Sequence, residues 1–212
     1  MQMHILPHNL TQLYKKLRTP AKVQDYLNTL PANYETGGET CMSPLRVLET
    51  GIAHCMEGAM FAAGALRFHG ARPLVMDLRA KRPDQDHVVA LFQVGEYWGA
   101  ISKTNHAVLR YREPVYKTLR ELALSFFHEY FENETGKKNL REYSMPVNLA
   151  RFDAIGWETS AEDLWEIPAA VDQARHYFLF DKKQAKQFRP AEPIEIAAGQ
   201  ILEWTKTGKK LL

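Results

Sequence analysis

The most regular hydrophobic pattern in the chain lies between Cys55 and Gly70. Ala59, Ala62, Ala63 and Leu66 recur at i, i+3, i+4 and i+7, and Gly70 follows where a helix C-cap is expected. The spacing predicts a helix with Cys55 at its N-terminal end, and its small-residue face lets neighbouring backbone come close, which places it in the core. Upstream, Thr19-Pro20 is an N-cap followed by a proline at the first helical position, with Val23, Tyr26, Leu27 and Leu30 at helical spacing until Pro31. Residues 32 to 42 are loop, and Ser43-Pro44 repeats the start signal for a brief turn ending near Gly51.

After Pro73 the period changes to two and β-branched residues accumulate. Leu74 to Leu78, His87 to Val94 and Tyr97 to Ser102 read as strands, and Gly95-Glu96 has the chemistry of a tight hairpin turn. An antiparallel sheet therefore follows the cysteine helix. From Pro114 onward helical character returns: Leu119, Leu122, Ala123, Phe126, Phe127 and Tyr130 share a broad face. Further helices are expected near Ser160 to Asp163 and from Pro193 to Trp204, with a polar break over Glu132 to Asn139. The expected class is α+β in a single domain over 1 to 212, with a core at about 19–112 and a helical extension at about 113–212 that carries no catalytic motif.

Composition narrows the function. At 212 residues, 45% hydrophobic and 25% charged, the chain has globular proportions. Its formal charge of +2 gives no basic face for a row of phosphates, so a nucleic-acid partner is not expected. The longest apolar run, Ala59 to Leu66, is far short of the roughly 20 residues of a membrane helix. Met1 to Leu10 has neither a cationic start before an apolar stretch nor a small-residue cleavage site, so the expectation is a cytoplasmic protein without a membrane partner.

Of the two cysteines, Cys41 and Cys55, only Cys55 has a context that would activate it. A thiol is nucleophilic as thiolate, and unpaired amides at a helix N-terminus and a nearby imidazole both favour that form. His87, opening the strand that packs against the helix, is the leading partner among eight histidines. His54 reads as the last polar group of its loop and Glu57 as a dipole-favoured acid in the first turn. No CxxC or HExxH spacing is present, so neither metal nor cofactor is expected.

Val47 to Ala59, with Gly51-Ile-Ala-His-Cys55 and an alanine four residues on, continues through Leu66-Arg67-Phe-His-Gly70 and resembles the cysteine-helix signature of the transglutaminase-like superfamily. Asp86-His87-Val-Val-Ala-Leu-Phe92 is similar to that family's histidine strand. The resemblance spans roughly residues 20 to 105. It implies a papain-like core in which Cys55 attacks an amide or ester carbonyl and His87 shuttles the proton through an acyl-enzyme, acting on a peptide or other amide-containing substrate. The superfamily also holds members without activity, so a scaffold that binds a peptide or protein partner is the alternative.

The family places an Asp on the next strand to hold the imidazole, and here no acid occurs between Glu96 and Glu113. The family pattern puts Ser102 in that position. A two-residue turn at Gly95-Glu96 pairs His87 with Thr104 and sets Ser102 diagonally beside it, whereas a three-residue turn places Asn105 opposite instead. Both stay open as the orienting residue. Hydrolysis or acyl transfer, and the oligomeric state, are not specified by the sequence.

Overall fold

A computed structural model describes residues 6–82 and 84–211. The first five residues, part of the stretch read for a leader, lie outside them. The helices are α1 (His8–Lys16), α2 (Pro20–Thr29), α3 (Pro44–Thr50), α4 (Cys55–Phe68), α5 (Leu119–Phe127), α6 (Glu166–Asp172), α7 (Lys182–Ala185) and α8 (Pro193–Gly199). The strands are β1 (Leu74–Ala80), β2 (His87–Val94), β3 (Tyr97–Ile101), β4 (Arg112–Tyr116), β5 (Leu140–Ser144), β6 (Val147–Asn148) and β7 (His176–Phe178). They form a seven-stranded sheet in the order β4-β3-β2-β1-β5-β7, with β6 also on β1 and every pairing antiparallel. The fold class is α+β, and no helix among the described residues is long and apolar enough to cross a membrane.

The sheet separates two apolar layers. Val75, Val88, Ala90, Phe92 and Ile101 face α4, while Met76, Leu78, Val89, Leu91 and Ala100 pack on Leu122, Ala123 and Phe126 of α5. Helix α4 is buried nearly all round, with α1 (Leu10, Tyr14), α2 (Val23, Leu27), α3 (Val47) and Trp157 in the same layer. Its small residues permit this. A Cβ on Gly58 would stand 2.3 Å from the Cβ of Lys103, so only glycine lets the helix lie this close to the chain leaving β3.

The hairpin between β2 and β3 sets the register on which the site depends. Gly95 takes φ 60°, as the first position of a two-residue turn requires, and Ala90 pairs with Ile101 and Leu91 with Ala100. Extended by three steps, this register puts His87 across from Thr104 and Ser102 on the same face as His87.

Residues 113–212 are not the helical extension expected from sequence: β5, β6, β7 and most of β4 lie within them. These strands are short, and Pro114, which suggested a helix start, sits in edge strand β4, where a missing N–H costs no ladder bond. Helix α5 does cover the expected apolar face, capped by Thr118 and Glu121.

Candidate active site

Cys55 is the first residue of α4 and His54 its N-cap. The cap is a double one. The His54 Nδ1 accepts the Met56 amide (3.2 Å), and the Glu57 carboxylate reaches back to accept the His54 amide (2.9 Å). Glu57 is fully buried and also accepts from Asn33 Nδ2 (3.1 Å), Thr40 Oγ1 (2.8 Å) and the Met42 amide (3.1 Å). One carboxylate thus ties the loop after α2 to the start of the cysteine helix. In sequence Glu57 reads only as a dipole-favoured acid, because the loop that buries it is remote along the chain.

His87 is buried at the start of β2, and its Nε2 lies 2.8 Å from Ser102 Oγ. Ser102 donates its only hydroxyl proton to the Leu109 carbonyl, so it must accept from the imidazole. That fixes the neutral ring with the proton on Nε2 and leaves Nδ1 as the basic nitrogen. Ser102 is itself pinned by Gln24, whose side chain accepts from the Ser102 amide (2.9 Å) and donates to its carbonyl (2.8 Å). Leu109 presents its carbonyl from a left-handed conformation, φ 60°, with its amide on Glu129 (2.7 Å). Gln24 was legible only as a polar residue on the apolar face of α2.

Asn105 does not orient the imidazole. Its amide donates to Tyr34 Oη (2.6 Å) and the Trp204 carbonyl (3.0 Å) and accepts from the Trp204 amide (2.8 Å). The two-residue turn carries Asn105 away from His87, and it fastens the C-terminal segment to the rim instead.

Burial raises the pKa of the Cys55 thiol, but hydrogen bonds with His54 and then His87, together with the charges of both rings, outweigh it and bring the value down to about 5. For His54, burial opposes the charged ring, yet the bond with Cys55, the charges of Glu57 and Cys55, and the Thr40 carbonyl lift it to about 9. Cys41 goes the other way: burial first, then Glu57, push it to about 12. Lys103, buried with its Nζ on the Leu27 and Leu30 carbonyls, is drawn down by desolvation to about 8.

His54, Cys55, His87 and Lys103 line a cleft of about 430 Å³, within the range of small-ligand sites. Its walls include Asn33, Tyr34, His54, Cys55, Asp86, His87, Asn105, Tyr130 and, from the C-terminal segment, Gly199 and Leu202. Among the described residues no group of three or more His, Cys, Asp or Glu side chains is arranged to hold a metal ion. Chemically, the cleft presents a low-pKa thiol at a helix N-terminus beside an imidazole of fixed tautomer, which suits attack on an electrophilic carbonyl. No protein-family model matches the chain, and no curated protein matches it.

Proposed function

We propose that the chain is a transglutaminase-like cysteine enzyme with a papain-like core, which hydrolyses or transfers an acyl group from a peptide or glutamine-type amide. Cys55 is the nucleophile. His87 moves protons between the reacting groups, Ser102 holds its tautomer, and Asn105 serves the rim of the cleft. The observation that carries this reading is the seating of Cys55 as the first residue of α4, in one cleft with the buried His87 whose ring is held by Ser102. The Cys55 amide, first of the helix and with no acceptor among the described residues, is one oxyanion donor.

The neutral Ser102 beside His87 favours a second reading, a scaffold that binds a peptide or protein partner without turnover. One experiment separates the two. The protein is incubated with a glutamine-containing peptide and with an activated acyl ester, and acyl adducts are located by mass spectrometry. An adduct on Cys55, absent from Cys55→Ser and formed on the order of 10- to 100-fold more slowly by Ser102→Ala, supports the enzyme. Peptide binding with no adduct from either donor supports the scaffold.

A further inference from the structure

Leu109 is held by both of its backbone polar groups, and each of them meets a side chain. Its carbonyl accepts the Ser102 hydroxyl proton, and its amide donates to Glu129 Oε2 at 2.7 Å. The residue stands at φ 60°, a left-handed conformation that a bulky side chain rarely adopts and that persists only where the surroundings over-determine it. With leucine and not glycine at this position, contacts must hold the backbone there.

Those contacts lead back to α5. Glu129 lies just beyond the end of that helix, and its Oε2 also accepts from Arg112 Nη2 at 2.6 Å. Arg112 is fixed in turn: its Nε donates to Ser125 Oγ (3.0 Å) and its Nη2 to the Ser125 carbonyl (3.2 Å), with the guanidinium carbon 4.1 Å from the centre of the buried Phe126 ring. A line of contacts therefore runs from the apolar layer of α5 through Arg112 and Glu129 to the Leu109 amide. From the Leu109 carbonyl it continues to Ser102 and the Nε2 of His87.

This line decides where a proton sits. A serine hydroxyl has one proton to give, either to the Leu109 carbonyl or to the imidazole. With the carbonyl in place the proton goes there, Ser102 accepts from Nε2–H, and Nδ1 of His87 is the free base. With the carbonyl turned away, the hydroxyl donates to Nε2 and the ring proton moves to Nδ1, so the neutral ring has no free basic nitrogen. We propose that Glu129 is a positioning residue for the reaction: by holding the Leu109 amide it keeps the Leu109 carbonyl on Ser102 and so sets the tautomer of His87. This rests on the reading of His87 as the proton carrier and extends it to a residue on another element. Gln24 serves a different end, since both of its bonds go to the Ser102 backbone and fix where the serine stands, leaving the direction of its hydroxyl to Leu109.

The test sets charge against reach. Glu129→Gln gives up the charge facing Arg112 but keeps an acceptor at the same length, whereas Glu129→Asp keeps the charge and falls one methylene short of the Leu109 amide. The Glu129 side chain is partly exposed, so neither change opens the core. Nitrogen NMR of the histidine rings, at alkaline pH where the imidazole is neutral, reports which nitrogen of His87 bears the proton. The Nε2–H form is expected in wild type and in Glu129→Gln, with a shift toward Nδ1–H in Glu129→Asp. Formation of the Cys55 acyl adduct should fall about tenfold in Glu129→Asp and stay within about twofold of wild type in Glu129→Gln. An Nδ1–H ring in wild type overturns the proposal whatever the variants do. So does an unmoved tautomer in Glu129→Asp, and so does a shift in Glu129→Gln as large as in Glu129→Asp, which makes the ion pair with Arg112 the operative contact. A tautomer that moves as expected, with no adduct on Cys55 in any of the three proteins, upholds the positioning of His87 and removes the enzyme reading instead.

Discussion

Glu57 divides two regions that hold the same functional group in opposite states. On one side Cys41 lies 1% exposed in the core, where the charges that reach it belong to the carboxylates Glu57, Asp163 and Glu35 and its pKa stands at about 12. On the other, Cys55 begins a helix, and the pKa is brought down to about 5 because the interactions with His54 and His87 outweigh burial. Both thiols are desolvated, so burial alone does not distinguish them. What differs is the sign of the partners: carboxylates raise the Cys41 thiol, whereas imidazoles lower the Cys55 one.

Alkylation of the native protein near pH 7 gives the largest contrast. The two pKa values imply thiolate fractions differing by about five orders of magnitude, and the lower intrinsic nucleophilicity of the more acidic thiolate returns about three. Cys55 should therefore react at least about 100-fold faster than Cys41, with burial of Cys41 widening the gap, and the difference should vanish in denaturant. Equal labelling in the folded state breaks the comparison. The same shift has a sign in stability. Cys55 stands at about 5 folded against 9.0 as an ordinary thiol, so its contribution is complete above about pH 9 and is lost as pH falls through about 5. Denaturant midpoints should drop across the acid end of that window, and by less in Cys55→Ser.

Much of this region was legible in sequence because its signals are local. Cys55 at a helix start followed from the spacing of Ala59 to Leu66, and the diagonal placing of Ser102 followed from the two residues between β2 and β3 once that turn length is known. The roles of His54 and Glu57 were not legible. The burial of Glu57 depends on the loop of Asn33 to Met42 folding over it, a contact between separate segments that no periodicity records. The C-terminal half misled for another reason: β7 has three residues and β6 two, too few for alternation to emerge. Helix α1 carried a usable signal, since Leu10, Leu13, Tyr14 and Leu17 share the spacing of the cysteine helix.

Gly58→Ala tests whether the Cys55 region depends on the close approach of its helix to the chain beyond β3. Alanine gains about 1 kcal/mol of helix propensity, but its Cβ meets Lys103 Cβ at 2.3 Å and Cγ at 2.9 Å. Overpacking against a buried chain costs about 1–3 kcal/mol, and backbone on both sides resists relief. The expected net is about 1–2 kcal/mol of lost stability by denaturant titration, together with a raised Cys55 alkylation midpoint as the helix start moves off His87. The environment of Cys41, on the far side of Glu57, should be unchanged. A stabilised variant would show that the helix has room to move.

The smallest effect is expected at Asn105, and it decides whether the rim belongs to the ionisation machinery. Removing the side chain in Asn105→Ala deletes both bonds to Trp204 and the one to Tyr34, but the backbone bond from the Glu203 amide to the Asn105 carbonyl (2.8 Å) remains. Side-chain hydrogen bonds of this kind contribute about 1 kcal/mol each, and these partly buried rim groups regain water when the segment loosens. The loss should therefore be local: faster hydrogen exchange at the Trp204 amide, by about tenfold, with global stability lower by under about 1 kcal/mol. The alkylation profile of Cys55 should stay within a few tenths of a pH unit of wild type, because Ser102 still holds the imidazole. If Asn105→Ala instead shifts that profile as far as Ser102→Ala does, the orienting role assigned to Ser102 fails, and the C-terminal segment acts directly on the histidine.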